Sequence, residues 1–381
     1  MFHIKYFINP IFFLIVGGLF YLLSPYVFYV NDYFGIEFLQ VAVSSHIKNG
    51  GLYKYNVVDL IVIFTCFTLG FSAFFKVSKS RMPSSDQYYN YRLLPMLIFS
   101  ILFVVLMLTV VKARLAGVVF FSGYESYNKS ILGPLATLCF MSMWFYLYFS
   151  KKYFLFLFLL SATLLLSLGS RMFFILPLLS FLVDFVHKNP KKIFKILIFT
   201  FLALIFVLIV GLWRANGQIS LVSLIGVLFA EPIFTSIGTL YYFNDGRPLI
   251  GVPYDVFAAF INFIPSFLFP DKNTLMYLIM QDEKVNNPFG AQSLLINLYK
   301  NFGAFYPVFI FFIGGGYGFL YKRRLSDKKY YVAYLMTLPL TLTYIYREGF
   351  ITVIKVMFFN SVFLPFLLLS IIGMLLTNKK R

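Results

Sequence analysis

Long apolar segments, separated by short polar ones, follow one another along most of the chain. Most are close to the length that a helix rising 1.5 Å per residue needs to cross roughly 30 Å of hydrocarbon. Because backbone polar groups in lipid must be paired within the segment, these segments are predicted to be helices. The predicted spans are 10–30, 57–75, 94–111, 132–149, 153–168, 172–186, 193–212, 302–320, 330–346 and 357–376. We expect an all-α, polytopic integral membrane protein of about 10 transmembrane helices (10–12), with one membrane domain over 1–381.

The segment 213–301 breaks this pattern, since it is long, mixed in polarity and rich in proline and aromatic residues. Such a segment is typical of a large loop with amphipathic or re-entrant helices that lie on the bilayer. It would cross the membrane zero or two times. We expect Phe260 to Phe269 to form one of these helices, which would end at Pro270.

Basic residues predict the orientation of the chain. They are concentrated in alternate loops, around 76–92, 151–152, 188–195 and 322–329, and in the C-terminal tail. Cytoplasmic loops carry the excess of lysine and arginine in membrane proteins. We therefore predict that these loops and both termini are cytoplasmic, and that 213–301 lies on the outer side.

Composition supports a membrane protein and excludes several other classes. Hydrophobic residues make up 60% of the chain and charged residues only 12%, against about 25% charged in a soluble domain. The net charge of +18 sits in short loops instead of on one water-facing surface, so no nucleic-acid partner is expected. Cys66 and Cys139 both lie in apolar segments, which indicates neither a disulfide framework nor a metal site. No cofactor is expected.

Half of the arginines are predicted to lie on the outer side, where membrane insertion disfavours them. A guanidinium is a planar fork of donors that suits phosphate or carboxylate, and several together would hold a pyrophosphate. The alternative is that each arginine anchors to lipid headgroups or pairs with a nearby acid. These outer arginines are Arg114, Arg171, Arg214, Arg247 and Arg347.

Outer acids are candidates for a general base, although structural ion pairs are the more frequent role for such residues. Glu348 directly follows Arg347, and Glu231 precedes a proline in an otherwise apolar run. Lys355 is expected either to extend to the interface or to pair with Glu348. The glycines within 314–318 are expected to permit close helix packing. The outer acids are Glu125, Glu231, Asp245, Asp255, Asp282, Glu283 and Glu348.

Four segments in the second half of the chain together resemble the Wzy-type O-antigen polymerases, the oligosaccharide repeat unit polymerases of bacterial surface polysaccharide pathways. The similar features are a GSR turn after a short helix, an FPDK element in the large loop, an NFG helix start, and an arginine in the last outer turn. The segments are LSLGSRMFFILPLL at 166–179, FINFIPSFLFPDK at 260–272, LLINLYKNFGAFYPVFIFFIGGGYGFLYKR at 294–323 and YREGF at 346–350.

The resemblance implies a glycosyltransferase in the bacterial inner membrane. It would transfer the growing glycan from undecaprenyl pyrophosphate to the non-reducing end of a new lipid-linked repeat unit at the periplasmic face. Its partners would be this lipid-linked oligosaccharide, membrane lipids and a chain-length regulator protein. By similarity Arg171, Arg214 and Arg347, and next Arg247, would contact the pyrophosphate and the glycan. With the outer acid Glu348 beside Arg347, the predicted catalytic residues are Arg171, Arg214, Arg347 and Glu348. Substrate would contact Arg247, Arg114, Glu231, Asp255 and Lys272.

Other membrane functions stay open, and some features depart from the family. The paired motifs of arginine followed by glycine, found in some polymerases, have no clean copy here; Arg214 to Gly226 is the nearest. The related O-antigen ligases rely on a histidine in the large outer loop, which has none. A sugar transferase using polyprenyl phosphate would need an acidic pair in the first outer loop, where Asp32 and Glu37 stand apart. A flippase or transporter of lipid-linked oligosaccharides is the main alternative, and a generic solute transporter or channel is the third.

Overall fold

The computed structural model describes the chain as a set of packed helices. It covers residues 9–44, 54–75, 93–121, 129–168, 170, 172–192, 194, 198, 201–202, 205–206, 208–209, 212, 220–244, 250–264, 269–272, 274–276 and 293–378. Every regular element in these ranges is helical. The first seven are α1 (Pro10–Val30), α2 (Glu37–Ser44), α3 (Lys54–Phe75), α4 (Leu93–Leu115), α5 (Lys129–Phe149), α6 (Lys152–Ser167) and α7 (Met172–Lys188).

The remaining helices lie in the second half of the chain. They are α8 (Leu221–Asn244), α9 (Tyr254–Phe263), α10 (Leu294–Phe302), α11 (Tyr306–Arg323), α12 (Lys328–Thr337), α13 (Leu340–Arg347) and α14 over 350–378. Within α14, Ile354–Phe363 is π-helical.

Seven helical stretches in the described ranges are long and apolar enough to cross a membrane. The chain is therefore a multi-pass membrane protein, as its hydropathy predicts. The total of about ten crossings remains a prediction, because 193–212 lies largely outside the described residues. The seven stretches are Pro10–Val30, Asn56–Phe74, Leu93–Leu115, Ile131–Phe149, Leu221–Leu240, Leu294–Arg323 and Phe350–Leu376.

One of the seven, Leu221–Leu240, lies in the segment that the sequence analysis interprets as a large loop. Pro232 stands in the middle of α8, yet the helix continues through it. The helix packs against α1 and α2, where Ile233 and Ile237 are fully buried against Phe28 and Leu39. Tertiary packing therefore offsets the hydrogen bond that proline removes.

The helix expected over Phe260 to Phe269 lies earlier than predicted. It is α9, which ends at Phe263, and Ile264 is extended with φ −68° and ψ 125°. Ile264 precedes Pro265, and a residue before proline disfavours the α conformation. Ten residues span about 15 Å, which is too short to cross the membrane. Residues 265–268 lie outside the described part of the chain.

The predicted span 330–346 is divided at Pro339. α12 ends at Thr337 and α13 begins at Leu340. Proline has no N–H to continue the hydrogen-bond ladder of the helix. The Thr341 hydroxyl donates instead to the Leu338 carbonyl at 2.8 Å. The two short helices therefore replace one continuous span.

Glycines bring α3 and α11 into direct backbone contact. A Cβ atom added at Gly314 would overlap the Phe67 carbonyl, and one at Gly318 would overlap the Phe71 carbonyl. Gly70 on α3 lies in the same way against the Phe311 carbonyl of α11. The prediction of close packing is confirmed for this pair of helices, with Gly316 the exception because nothing lies within 4 Å of its Cβ position.

The predicted cytoplasmic loops around 151, 188 and 322–329 meet at one end of the molecule. Asp184 of α7 accepts hydrogen bonds from the Tyr331 hydroxyl at 2.9 Å and from Lys188 Nζ at 2.7 Å. The Arg324 guanidinium lies 3.6 Å from the Tyr321 ring centroid, and Lys328 Nζ lies 5.7 Å from that of Tyr148. These contacts join the ends of α5, α7 and α11 with the start of α12.

Candidate functional site

Arg347 binds two carboxylates at the end of α13. Its Nε forms an ion pair with Glu231 of α8, and its Nη1 donates to Glu348 in the following turn. The side chains of Arg347, Glu231 and Glu348 are 29%, 31% and 17% exposed. The three side chains are therefore partly exposed, whereas the paired atoms Arg347 Nε and Glu231 Oε1 are themselves buried.

The same turn is held to α10 through Asn297. The Phe350 backbone N–H, at the start of α14, donates to Asn297 Oδ1 at 2.9 Å. Asn297 Nδ2 in turn donates to Asp255 Oδ2 at 2.7 Å. Asn297 therefore links the turn that carries Arg347 and Glu348 to α9.

Asp255 is almost completely buried, with 2% exposure, and is held by charge-assisted hydrogen bonds. Besides Asn297, Asn301 Nδ2 donates to its Oδ2 at 2.7 Å, and the Asp255 N–H donates to Asn301 Oδ1 at 2.9 Å. In the described ranges no donor lies against the other carboxylate oxygen, Oδ1. Gly251 lies directly against the Lys300 carbonyl, where a Cβ would overlap it, so α9 approaches α10 closely.

Four of the residues that the sequence analysis selects are thus brought into one connected set. We call it the Arg347 hub. It lies where α8, α9, α10 and the α13–α14 turn meet. Its members are Glu231, Asp255, Asn297, Asn301, Arg347 and Glu348.

A second polar cluster lies on the helices next to the hub, and the sequence analysis missed it. Asp59 of α3 is completely buried and accepts hydrogen bonds from the Tyr299 hydroxyl and, at 3.2 Å, from the Tyr306 hydroxyl. Asn56, one turn earlier, donates to Ser236 Oγ of α8 at 3.0 Å. A carboxylate within a predicted span was the available signal, since such residues are costly in lipid and mark functional sites.

Lys272 lies at the C-terminal end of α9. Its Nζ donates to the Ile264 carbonyl at 2.8 Å and to the Asn262 carbonyl at 3.3 Å. A cation there is favourable, because the last carbonyls of a helix are unpaired and carry partial negative charge.

The other predicted site residues are not part of the hub as described. Arg114 is exposed in the last turn of α4, and no hydrogen bond or ion pair joins it to the hub in the described residues. Arg171, Arg214 and Arg247 lie outside the described part of the chain. The expected convergence of Arg171, Arg214 and Arg347 therefore stays a prediction.

Within the described ranges, no three histidine, cysteine, aspartate or glutamate side chains are grouped so that they could hold a metal ion. The site as described offers carboxylates, amides and cations. Such groups can donate and accept hydrogen bonds, and carboxylates can also accept protons. No family model, curated protein or solved structure matches this chain.

Proposed function

We propose that the chain is a polymerase of lipid-linked oligosaccharide repeat units. It transfers the growing glycan from undecaprenyl pyrophosphate to the non-reducing end of a new repeat unit. The Arg347 hub carries the proposal, because it joins a guanidinium and two partly exposed carboxylates where α8 meets the α13–α14 turn. The similarity of the YREGF turn and the FPDK element to the polymerase family supports the same reading.

The proposed reaction is a substitution at an anomeric carbon. A hydroxyl oxygen of the acceptor sugar bonds to that carbon, the bond from the carbon to the pyrophosphate oxygen breaks, and the hydroxyl proton passes to a base. Glu231 and Glu348 are the candidates for the base, since both are partly exposed and both are oriented by Arg347. Arg171 and Arg214, with Arg347, are proposed to stabilise the negative charge on the leaving pyrophosphate.

The proposed topology follows the basic loops. Both termini and the end that contains Lys328 and Asp184 are assigned to the cytoplasm of a bacterial inner membrane, and the Arg347 hub to the periplasmic face. Lipid-linked repeat units would then reach the hub from the outer leaflet. A chain-length regulator protein is the proposed protein partner.

The first experiment is the surface glycan of a strain that lacks the chain. If the chain is a polymerase, the strain should carry a single repeat unit on the lipid anchor in place of a ladder, and a ladder that persists would refute the proposal.

In the complemented strain, Arg347→Ala should slow transfer by about 10- to 150-fold, because one charge-assisted hydrogen bond at the transition state is lost. Lys112→Ala, at an exposed lysine in the last turn of α4, is the matched control and should leave the ladder intact.

A double variant separates catalysis from a structural ion pair. If Arg347 and Glu231 only neutralise each other, then Arg347→Gln combined with Glu231→Gln should restore the ladder, because the two lost charges cancel and the net charge of the hub is the same as before. A catalytic role predicts that the double variant makes no more ladder than either single variant. Restored ladder formation at matched expression would assign the pair to stability.

A flippase or transporter of lipid-linked oligosaccharides is the second candidate. The observation that favours it is Asp59, a carboxylate completely buried within an apolar helix. Intramembrane acids are frequent on substrate and proton pathways. Loss of a flippase would leave lipid-linked repeat units facing the cytoplasm, whereas loss of a polymerase would leave them at the outer face. Labelling of the repeat units with a reagent that cannot cross the inner membrane therefore distinguishes the two.

A further inference from the structure

The first helix, α1, contains a π-helical turn over Leu19–Leu23. In this turn the Ser24 N–H donates to the Leu19 carbonyl, five residues earlier. Such turns are rare and are found frequently at functional sites. The turn packs against both α8 and α13. These two helices carry Glu231 and Arg347, the two partners of the ion pair in the hub.

Tyr346, the residue directly before Arg347, holds α13 to α1. Its hydroxyl donates to the Leu14 carbonyl at 2.9 Å. Its ring stacks on the Tyr21 ring, with the centroids 6.1 Å apart and the planes 10° from parallel. Tyr346 and Tyr21 are both buried, with 1% and 4% exposure. The backbone that carries Arg347 is therefore fixed through both the ring and the hydroxyl of its neighbour.

Two consecutive glycines of α1 make room for this contact. A Cβ atom added at Gly17 would overlap the Leu342 carbonyl of α13 and would lie 2.8 Å from the Tyr346 ring. A Cβ atom at Gly18 would lie 3.2 Å from the Tyr346 hydroxyl oxygen. Any side chain at position 17 would therefore push α13, and Arg347 with it, away from α1.

The same turn also contacts α8. The Phe20 ring lies 5.5 Å from the Phe229 ring, measured between centroids. Phe229 packs on Phe28 of α1 as well, at 4.7 Å. Phe229 comes two residues before Glu231 in α8. The backbone that carries Glu231 is therefore packed against the turn that also holds Tyr346.

Asn56 of α3 joins the turn to α8 a second time. Its Nδ2 donates to the Leu22 carbonyl of the turn at 3.4 Å and to Ser236 Oγ of α8 at 3.0 Å. Asn56 and Ser236 are buried, with 0% and 2% exposure. Separation of the two helices would break one of these bonds and leave a buried polar group unpaired, which is costly.

We propose that Tyr21 and Tyr346 are positioning residues, through which the π-helical turn of α1 sets the distance between Arg347 and Glu231. Tyr21 contacts α13 and its neighbour Phe20 contacts α8, so both helices are aligned on one element. A partly exposed ion pair is too weak to fix two helices by itself, whereas buried ring contacts and a buried hydrogen bond stabilise one arrangement. The importance of this distance for glycan transfer rests on the proposed function, whereas the helix arrangement does not.

The first test measures kcat and KM of glycan transfer by the purified full-length chain, with lipid-linked repeat units as substrate. Tyr346→Phe removes the hydrogen bond to Leu14 and should lower kcat by about 5-fold or more. KM should change little, because the misplaced guanidinium acts on the transition state. Tyr21→Leu removes the ring stacking and should have a similar effect, whereas Tyr21→Phe keeps the ring and should retain kcat.

Tyr317→Phe is the matched control. The Tyr317 hydroxyl is also buried and also donates to a backbone carbonyl of another helix, that of Thr337, in the contact between α11 and α12. Its removal should lower the unfolding temperature about as much as Tyr346→Phe does, but should leave kcat unchanged.

The second test needs no activity. Glu231→Cys and Arg347→Cys are combined in a chain without its two native cysteines, and the rate of cross-linking by a short bifunctional thiol reagent reports whether the two positions are adjacent. This chain lacks the ion pair, so the packing of the helices alone holds the two positions together. Addition of Tyr346→Phe or Tyr21→Leu should slow cross-linking several-fold, whereas addition of Tyr317→Phe should not.

Unchanged cross-linking in folded Tyr346→Phe and Tyr21→Leu chains would overturn the inference. Equal losses for Tyr346→Phe and Tyr317→Phe would also overturn it, because the loss would then be one of general stability. In a chain that catalyses transfer, slower cross-linking with unchanged kcat would exclude a positioning role. Slower cross-linking in a chain that shows no transfer would refute the polymerase and still support the arrangement of α1, α8 and α13.

Discussion

At the scale of single residues, Asp255 is the buried anchor of the Arg347 hub. Its carboxylate receives two amide N–H bonds at 2.7 Å from different turns of α10. Hydrogen bonds to a charged group contribute about 1.5–3 kcal/mol each, and the donors would be left buried without partners if it were removed. The position of Arg347 and Glu348 depends on this anchor through Asn297.

Asp255→Ala should therefore lower the free energy of unfolding by about 3 kcal/mol or more. Asp255→Asn should cost less, because one amide oxygen can still accept. Asp271→Ala, at an exposed acid in the next segment, should stay within about 0.5 kcal/mol. Thermal unfolding of the purified variants in detergent measures all three, and equal midpoints for Asp255→Ala and Asp271→Ala would contradict the anchor.

The sequence predicts which charged residues take part in the hub better than it predicts which residues they contact. Glu231, Arg347 and Glu348 were selectable because charges next to apolar helices are costly. Their pairing was not, since Glu231 and Arg347 come from helices far apart in the chain. Asp59 was missed because hydropathy averages over a window, and one carboxylate in a strongly apolar run hardly changes that average.

At the scale of elements, the contact between α3 and α11 depends on the absence of side chains. Gly314→Ala should destabilise the protein by about 1–3 kcal/mol, because the new methyl group overlaps the Phe67 carbonyl and the backbones must separate. Gly316→Ala is the control on the same helix. Nothing lies within 4 Å of its Cβ position, so alanine should be neutral or stabilise the helix by up to about 1 kcal/mol. The measurement is the unfolding temperature of the two variants. Equal shifts for Gly314→Ala and Gly316→Ala would exclude a glycine contact.

Helices are the part of the fold that periodicity and length predict well. Of the seven described stretches that could cross a membrane, all except Leu221–Leu240 overlap a predicted span. Their interruptions are less predictable. Pro339 gave a local signal for the break between α12 and α13, whereas the π-helical turns of 354–363 have no sequence signature and depend on packing against α5 and α12. The helix α8 was included in the predicted loop because 213–301 as a whole is mixed in polarity and rich in proline, although Leu221–Leu240 alone is apolar enough to cross a membrane.

At the scale of the whole molecule, the two ends differ in charge. The basic loops meet around Asp184 and Tyr331, and the Arg347 hub lies where the middle of α8 meets α10 and the end of α13. The positive-inside rule predicts that the basic end lies in the cytoplasm. A reporter that is active only in the cytoplasm should therefore be active when fused after Lys329 and silent when fused after Asp282. Activity after Asp282 would reverse the orientation and place the outer arginines in the cytoplasm.

The arrangement of helices around the hub could not be derived from the sequence. Short loops fix neighbours such as α6 and α7, whereas α8, α9 and α10 are brought to the α13–α14 turn by contacts between distant segments. Those contacts are single hydrogen bonds between polar side chains in an apolar setting. One sequence without an alignment carries no signal for such pairs.

The short helix α9 carries opposite charges at its two ends. Asp255 stands in its first turn and Lys272 binds its last carbonyls, so each charge matches the partial charge of that helix end. Ten residues separate the two ends by about 15 Å. Asp255, within the hub, and the Lys272 ammonium group therefore form the opposite poles of one electrostatic axis, which is as long as this short helix.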